Sequence, residues 1–208
     1  MVMNKKRMFL VSNMYPSKEF MRYGIFVKKF EEAVIGNYAI KKIVMQRCTN
    51  KILRILSYMK LYFHILTLLF VAKKRDLIYV HFPLHIAPVL WIVFLFKKNI
   101  VLNFHGSDLI FDSLYKRLLE SFLRIIVKKT EIVVPSNYYK DKIIRLYDLE
   151  SNKVFVYPSG GINTKLFCPK RESTGNTFVL GYVSYFVESK GWRIFLDTIY
   201  NILSKNSI

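Results

Sequence analysis

Acidic residues are scarce in this sequence. The 208 residues include 14 Asp and Glu against 33 Lys and Arg, which gives a formal net charge of +19 at pH 7. Between Glu32 and Asp108 the only acidic residue is Asp76, whereas eleven Lys or Arg lie from Lys41 to Lys98. An excess of this kind describes the partners of a protein rather than its fold. It indicates an anionic lipid surface, a nucleic acid or a phosphorylated ligand.

Cysteines are scarce as well. The two in the chain, Cys48 and Cys168, fit no metal-binding spacing. The N-terminal stretch MVMNKKRMFLVSN lacks the long apolar segment and the small-residue cleavage site of a secretory signal, so we interpret it as a first strand. We therefore expect two free thiols in a reducing compartment rather than a disulfide.

Long apolar runs are missing, although 52% of the residues are hydrophobic and 16% are aromatic, a composition that excludes the disordered class. Leu61–Ala72 has twelve residues and is interrupted by His64, and Ile86–Phe96 has eleven and contains Pro88. A membrane-spanning helix needs roughly 20 apolar residues. We expect both runs to form buried or interfacial helices.

Short, nearly continuous apolar runs rich in β-branched residues are present instead, and they predict strands buried on both faces. These runs lie at 7–13, 41–47, 77–82, 99–104, near Glu131, at 153–157 and at 178–183. Helix-length segments separate most of them. The alternation predicts an α/β fold, a Rossmann-like parallel sheet with helices on both faces. The stretch 158–176 carries Pro, Gly and Ser without a clear period and indicates a domain boundary.

In parallel sheets the ligand binds at the carboxyl ends of the strands, so the residues after each strand are candidates for a site. Gly24 precedes a predicted amphipathic helix in which Phe26, Phe30 and Val34 recur every four residues. A glycine there lets a ligand approach the backbone, and the helix start offers free N–H groups to an anion. The alternative is a turn glycine without a ligand.

His105 follows the predicted strand at 99–104, and Gly106, Ser107 and Asp108 come directly after it. A histidine at a strand end can donate a hydrogen bond to a phosphate or to a sugar hydroxyl. The alternative is a capping turn with an incidental histidine, because Ser and Asp are typical capping residues.

Further polar positions follow other predicted strands. Lys190 lies just before a predicted helix, where the helix dipole disfavours a cation, so a lysine there suggests a bound phosphate. The alternative is a solvated loop lysine. His81 and His85 flank a third strand end, and without a third ligand we expect packing or hydrogen bonding rather than a metal site. Ser136 is typical of a helix N-cap.

Six segments resemble those of family-4 glycosyltransferases, in the same order and at sensible spacing: YPSKEFMRYGIFVKKFEEAV, DLIYVHFPLHIAP, NFHGSDL, VPSNYYKDKI, VYPSGGINTKLFCP and LGYVSYFVESKGW. The resemblance runs over nearly the whole chain. It implies the GT-B fold, with 1–167 as the N-terminal, acceptor-side domain and 168–176 as a linker. It further implies that 177–208 begins the donor-binding domain and leaves it incomplete.

By this resemblance we expect a retaining transferase that moves a sugar from a nucleotide-sugar donor to a lipid-linked or polysaccharide acceptor, without a metal or other cofactor. His105 matches the family's catalytic histidine beside the transferred sugar. Gly24, Gly106, Lys190 and Gly191 match positions that contact the phosphates or the sugar of the donor.

The sequence departs from the family pattern near its C-terminus. Ser184 and Tyr185 occupy positions where the family commonly has glycine and arginine. A tyrosine removes the bidentate charged donor that an arginine offers to a phosphate. A later family segment with two glutamates lies beyond Ile208. We therefore expect the chain alone to be inactive or weakly active.

The stretch KILRILSYMKLYFHILTLLFVAKKR predicts a helix with a narrow polar stripe and a very wide apolar face. Such a helix is either mostly buried or lies in a membrane interface. Many members of the resembling family use a basic N-terminal surface to reach lipid-linked acceptors. We therefore expect a cytoplasmic protein, peripheral at the inner face of the plasma membrane. A buried helix beside an ordinary solvated basic face is the alternative.

Two other functions stay open at this point. One is a non-catalytic remnant or split-gene subunit that binds membrane or acceptor and needs a separate donor-domain chain. The other is a basic nucleic-acid-binding α/β domain. The sequence contains no RRM, KH or zinc-finger pattern, so we do not expect nucleic acid as a partner.

Overall fold

The strands predicted in the first three quarters of the chain form one six-stranded parallel sheet. They are β1 (Lys6–Tyr15), β2 (Tyr38–Gln46), β3 (Leu77–His81), β4 (Asn99–Asn103), β5 (Glu131–Val134) and β6 (Val154–Val156). Their spatial order is β2-β1-β3-β4-β5-β6. The computed structural model describes residues 5–158, 164–165, 167–168 and 179–205.

Helices connect the strands and lie on both faces of the sheet. They are α1 (Ile25–Val34), α2 (Lys51–Val71), α3 (Ala87–Leu95), α4 (Leu114–Val127) and α5 (Asn137–Tyr147). This arrangement confirms the predicted α/β, Rossmann-like parallel sheet. All the carboxyl ends of the strands point to the same edge, which we call the carboxyl edge.

The side chains of the strands alternate between two cores because successive residues of a strand point to opposite faces. In β1, Met8 and Leu10 pack on the face covered by α1, together with Val27 and Phe30 of that helix. The neighbours of those strand residues, such as Phe9, contribute to a larger core on the face covered by α2, α3, α4 and α5. Strands buried on both faces explain the nearly continuous apolar runs in the sequence.

Helix α2 lies within the stretch at 51–75 that the sequence predicts to be helical. It is continuous over 21 residues and is, by length and composition only, able to cross a membrane. Its N-terminus is capped by Asn50, whose side chain accepts from two backbone N–H groups. Leu61, Ile65 and Leu68 of α2 are buried in the core of the sheet, and partly buried neighbours pack against it: Tyr58, Tyr62, Leu66 and Leu69.

Asp76, the single acid of the acid-poor interval, is a structural residue. Its carboxylate is buried and accepts hydrogen bonds from the Arg7 guanidinium and, at 2.7 Å, from the backbone N–H of Lys73. Arg7 also donates to the carbonyl of Val71, at the C-terminus of α2, and Lys98 donates to two nearby carbonyls. A buried carboxylate needs partners of this kind. Asp76 therefore anchors the end of α2 to β1.

The chain divides into two compact units, Met1–Ile162 and Asn163–Ile208. In the second unit the structure describes α6 (Trp192–Lys205), preceded by a short 3-10 helix at Glu188–Lys190. The predicted linker at 168–176 lies, apart from Cys168, outside the described residues.

The strand predicted at 178–183 is wrong for the residues that the structure describes. Residue 178 lies outside them, and 179–187 adopt no strand. Val179 and Val183 are 83% and 98% exposed, respectively. A strand forms through hydrogen bonds to a neighbour, and no strand lies beside this segment among the described residues of the second unit.

We expect the second unit to be the least protected part of the chain against hydrogen exchange. No described residue of this unit is buried, whereas the strands of the first unit carry the core. Segments with few buried apolar contacts open at low free-energy cost. Exchange followed by mass spectrometry should show 179–205 exchanging orders of magnitude faster than β1, β3 and β4. Equal protection in the two regions would contradict this expectation.

Candidate functional site

The carboxyl edge of the sheet brings His81 and the predicted catalytic residue His105 together. His81 is the last residue of β3 and pairs in register with Asn103 of β4. His105 follows two residues later, just beyond the end of β4. His81 Nδ1 and His105 Nε2 lie 2.9 Å apart, within hydrogen-bonding distance. The expected hydrogen-bonding role of His81 is therefore confirmed, and its partner is the candidate catalytic residue.

Aromatic rings hold His105 in place. The ring of Phe82 stacks on it with centroids 4.8 Å apart and only 6° between the planes, and Phe26 lies 4.2 Å away. Phe82 has a φ of 54°, in the left-handed region that residues other than glycine seldom adopt. Phe82 therefore occupies the strand end in an unfavourable backbone conformation. These contacts leave the imidazole of His105 partly exposed and fixed in orientation.

Both histidines are neutral at pH 7. Burial lowers the pKa of His105 to about 4. Burial, with a smaller contribution from His105, holds the pKa of His81 well below its usual range. A neutral imidazole carries one N–H donor and one acceptor nitrogen. The pair can therefore form hydrogen bonds to an uncharged hydroxyl, but it offers no positive charge to a phosphate.

Gly106 and Asp108 shape the turn that follows His105. Oδ1 of Asp108 accepts hydrogen bonds of 2.9 Å from the backbone N–H groups of both His105 and Gly106. Gly106 has a φ of 100°, which favours glycine. The capping turn considered as an alternative is therefore present together with the histidine contacts. Because the N–H of Gly106 is already bonded, any contact of Gly106 with a donor would have to use other atoms.

Gly24 meets a steric requirement at the same edge. It precedes α1 with a φ of 69°, and a Cβ atom at this position would lie 2.6 Å from the carbonyl carbon of Met14. The close approach of α1 to the end of β1 is enough to require glycine. A ligand contact at Gly24 stays a prediction.

Lys190 and Gly191 lie in the second unit, directly before α6, as the sequence predicted. Lys190 ends the 3-10 helix, and Gly191 has a φ of 69°. The hydroxyl of Tyr182 donates to the backbone carbonyl of Lys190 over 3.1 Å. Lys190 and Tyr185 are both exposed. The roles of Lys190 and Gly191 in binding a donor stay predictions.

A cavity near the carboxyl edge was not predicted from the sequence. It has a volume of about 600 Å³ and is lined mainly by Tyr58 and Tyr62 of α2, Tyr115 of α4, His85 and Arg54. The tyrosine hydroxyls of α2 are anchored: that of Tyr58 accepts from the side chain of Asn13 at 3.2 Å, and that of Tyr62 donates to the carbonyl of His85. The spacing of Tyr58 and Tyr62, four residues apart on one helix face, was the available signal.

The residues that the structure describes include no group of three or more His, Cys, Asp or Glu side chains placed to hold a metal ion. His85 is half-buried. Burial lowers the pKa of its imidazole, and the nearby positive charge of Lys116 lowers it further. Its ring stacks loosely on Tyr115, with centroids 6.2 Å apart. His85 therefore belongs to the wall of the cavity, in keeping with the expected packing role.

A family model described as Glycosyltransferase Family 4 matches residues 28–165. The match covers more than half of the chain and includes the histidine pair and the cavity. It does not extend to Gly24, Lys190 or Gly191. A comparison with curated proteins gives no match.

The carboxyl group of Asp108 makes the stability of the site depend on pH. Its usual pKa is 3.8, and burial raises it to about 7, although the backbone hydrogen bonds from His105 and Gly106 favour the charged form. Between about pH 4 and pH 7 the folded chain holds a proton that the unfolded chain has lost. The contribution of Asp108 to stability is therefore complete at low pH and is lost as the pH rises through 7.

We expect an Asp108→Asn variant to remove this dependence, because asparagine keeps the acceptor oxygen and does not titrate. The free energy of unfolding of the wild type, minus that of the variant, should fall by up to about 1.4 kcal/mol per pH unit between pH 5 and pH 7. Urea unfolding of both proteins at several pH values measures this difference. Asp141→Asn, which makes the same chemical change at an exposed position of α5, serves as the control. A difference that is flat with pH for Asp108→Asn would refute the assignment.

Proposed function

The chain belongs to glycosyltransferase family 4, since the family model matches more than half of it, and we propose that it moves a sugar from a nucleotide-sugar donor to a lipid-linked or polysaccharide acceptor with retention of anomeric configuration. The observation that carries the proposal is His105, a neutral, ring-stacked and partly exposed imidazole at the carboxyl edge. Ligands of parallel sheets bind at this edge.

In the proposed reaction His105 is the catalytic residue that touches the transferred sugar. Its neutral ring suits a hydrogen bond to a sugar hydroxyl better than a contact with the diphosphate. The bond between the anomeric carbon and the diphosphate oxygen breaks, and a bond to the acceptor oxygen forms on the same face of the sugar. The acceptor proton passes to the departing diphosphate, whose developing charge a cation such as Lys190 would stabilise.

The tyrosine-lined cavity supports a place for the acceptor. Its size and its lining of aromatic side chains with a few polar groups are typical of small-molecule sites. It adjoins the carboxyl edge through the hydrogen bond between Asn13, near the end of β1, and Tyr58. An acceptor bound there would lie on the same unit as His105.

The exposed face of α2 supports a peripheral position on an anionic membrane, at the inner face of the plasma membrane. Met59, Phe63 and Phe70 are 62%, 66% and 90% exposed. Lys51 and Arg54, on the first turns of the same helix, are exposed as well. A helix with a wide apolar face and basic residues is suited to the boundary between headgroups and acyl chains.

A second candidate is a non-catalytic subunit that needs a separate donor-domain chain. The observation in its favour is the second unit, in which no described residue is buried and the apolar side chains of α6, such as Ile194 and Leu203, are 71% and 67% exposed. Exposed apolar surface of this extent is suited to packing against another protein surface. Donor binding distinguishes this candidate from a working enzyme.

We expect the chain alone to bind UDP- and GDP-sugars weakly, with Kd values above the micromolar range, and to release nucleoside diphosphate slowly when lipid acceptors are added. The reason is Tyr185, which offers no charge to the diphosphate where the family commonly has arginine. Tyr185→Arg should tighten binding at least several-fold in calorimetry, because it restores a bidentate donor. Lys190→Ala should weaken it.

Tyr200→Arg is the matched control for that experiment, since it adds the same charge at an exposed position of α6. Equal effects of the two arginine variants would argue against a phosphate contact at position 185. Micromolar binding by the unmodified chain, lost in Lys190→Ala, would show that the donor site works without an arginine. If no donor gives a release of nucleoside diphosphate that depends on the acceptor, the non-catalytic candidate is favoured.

We also expect the chain to bind anionic vesicles, and salt to weaken the binding. Each Lys or Arg near such a surface contributes about 1 kcal/mol. Sedimentation with vesicles of phosphatidylglycerol and phosphatidylcholine should show strong binding in low salt. Phe63→Ser together with Phe70→Ser should reduce it, whereas Ile125→Ser, at an exposed position of α4, should not. Equal binding to neutral and to anionic vesicles would overturn the proposal.

A further inference from the structure

His81 is a buried polar residue whose hydrogen bonding is incomplete. It is 1% exposed, and its Nδ1 contacts His105 Nε2 at 2.9 Å. Its other ring nitrogen, Nε2, is buried without a hydrogen-bond partner among the described residues. Buried polar atoms in native proteins are nearly always paired, so an exception calls for an explanation.

The surroundings of His81 are aromatic. Phe30 lies 5.0 Å away at 72°, and Tyr79 lies 5.1 Å away. The hydroxyl of Tyr79 already accepts from the amide of Asn103 at 3.0 Å. The described side chains therefore provide no conventional acceptor for an N–H at His81 Nε2. That nitrogen lies in an apolar environment whichever tautomer the ring adopts.

Two arrangements of protons are compatible with the contact between the histidines, because it needs one N–H and one lone pair. In the first, His81 Nδ1–H donates to His105 Nε2, and the unpaired Nε2 of His81 is a lone pair. In the second, His105 Nε2–H donates to His81 Nδ1, and the unpaired atom is an N–H. Orphaned buried N–H groups are rarer than under-satisfied acceptors. An N–H facing an aromatic ring gains only a weak interaction. The first arrangement is favoured.

This arrangement determines what His105 presents to a ligand. With Nε2 accepting from His81, the single proton of the neutral His105 ring is on Nδ1. That nitrogen has no protein partner among the described residues, and the ring is partly exposed. We propose that His81 is a positioning residue that fixes His105 as the Nδ1–H tautomer, so that the site presents an N–H donor to a ligand oxygen.

The ligand class follows from that donor. A neutral N–H suits an oxygen acceptor such as a sugar hydroxyl; that the oxygen belongs to a donor sugar rests on the proposed function. The assignment of the His105 tautomer does not rest on the proposed function. A spectroscopic test on the chain without any ligand therefore separates a failure of this inference from a failure of the glycosyltransferase assignment.

The test is a long-range ¹⁵N–¹H correlation spectrum of the ¹⁵N-labelled chain near pH 7. The sequence has four histidines, so single substitutions can assign each ring. We expect both His81 and His105 to show a protonated Nδ1 and an unprotonated Nε2. A protonated Nε2 in His105, or averaged signals for its two nitrogens, would overturn the proposal.

Two variants test whether His81 causes the tautomer. His81→Phe keeps a planar ring and removes the donor, so the His105 nitrogens should shift toward averaged values. His81→Asn places an amide N–H₂ near the former Nδ1 and should restore the wild-type signals of His105. His64→Gln, at an exposed position of α2, is the control and should leave them unchanged. Wild-type His105 signals in His81→Phe would show that His81 does not set the tautomer.

A circular dichroism melt of each variant shows whether it folds. If His81→Phe is unfolded, the Asn variant and the wild-type spectrum still decide the proposal. In that case His81→Asn with a protonated Nε2 in His105 would contradict it. His81→Asn with the wild-type tautomer would support it.

Discussion

The candidate site depends on the register between β3 and β4. The two strands pair residue for residue, from Leu77 with Asn99 to His81 with Asn103. The buried hydrogen bond from the Asn103 amide to the Tyr79 hydroxyl joins the two strands on the same face. A shift of the pairing register by one residue would move every side chain of the shifted strand to the opposite face of the sheet. His81 would then leave the α1 face, and His105 would lose its hydrogen-bonding partner.

The positive surface of the acid-poor interval follows from how its single acidic residue is paired. Asp76 is fully engaged by Arg7 and by the backbone of Lys73, and Arg7 and Lys98 also bind carbonyls at the end of α2. Most other cations of the acid-poor interval are exposed. The interval therefore has no acid left to neutralise its surface. This surface and the apolar face of α2 belong to the same unit as the histidine pair, which is what a transferase acting on a membrane-bound acceptor would require.

Local patterns predicted the fold well because the strands β1, β3, β4 and β5 are largely buried on both faces and their apolar residues are nearly consecutive. They also placed His105 at a strand end, since that position depends on neighbours in sequence. The bond between His81 and His105 could not be predicted, because the residues are 24 positions apart and meet only through strand register. The strand proposed at 178–183 failed for a related reason: apolar residues favour a strand, but a neighbouring strand is needed to form one.

Phe82 adds a constraint of a different kind. Its left-handed backbone conformation suits glycine or asparagine better than an aromatic residue. Its ring, however, covers one face of His105. Selection for thermal stability alone would therefore tend to replace this side chain with a smaller one, while selection for an oriented imidazole would retain it. The aromatic ring at position 82 thus orients the imidazole at a cost in backbone conformation.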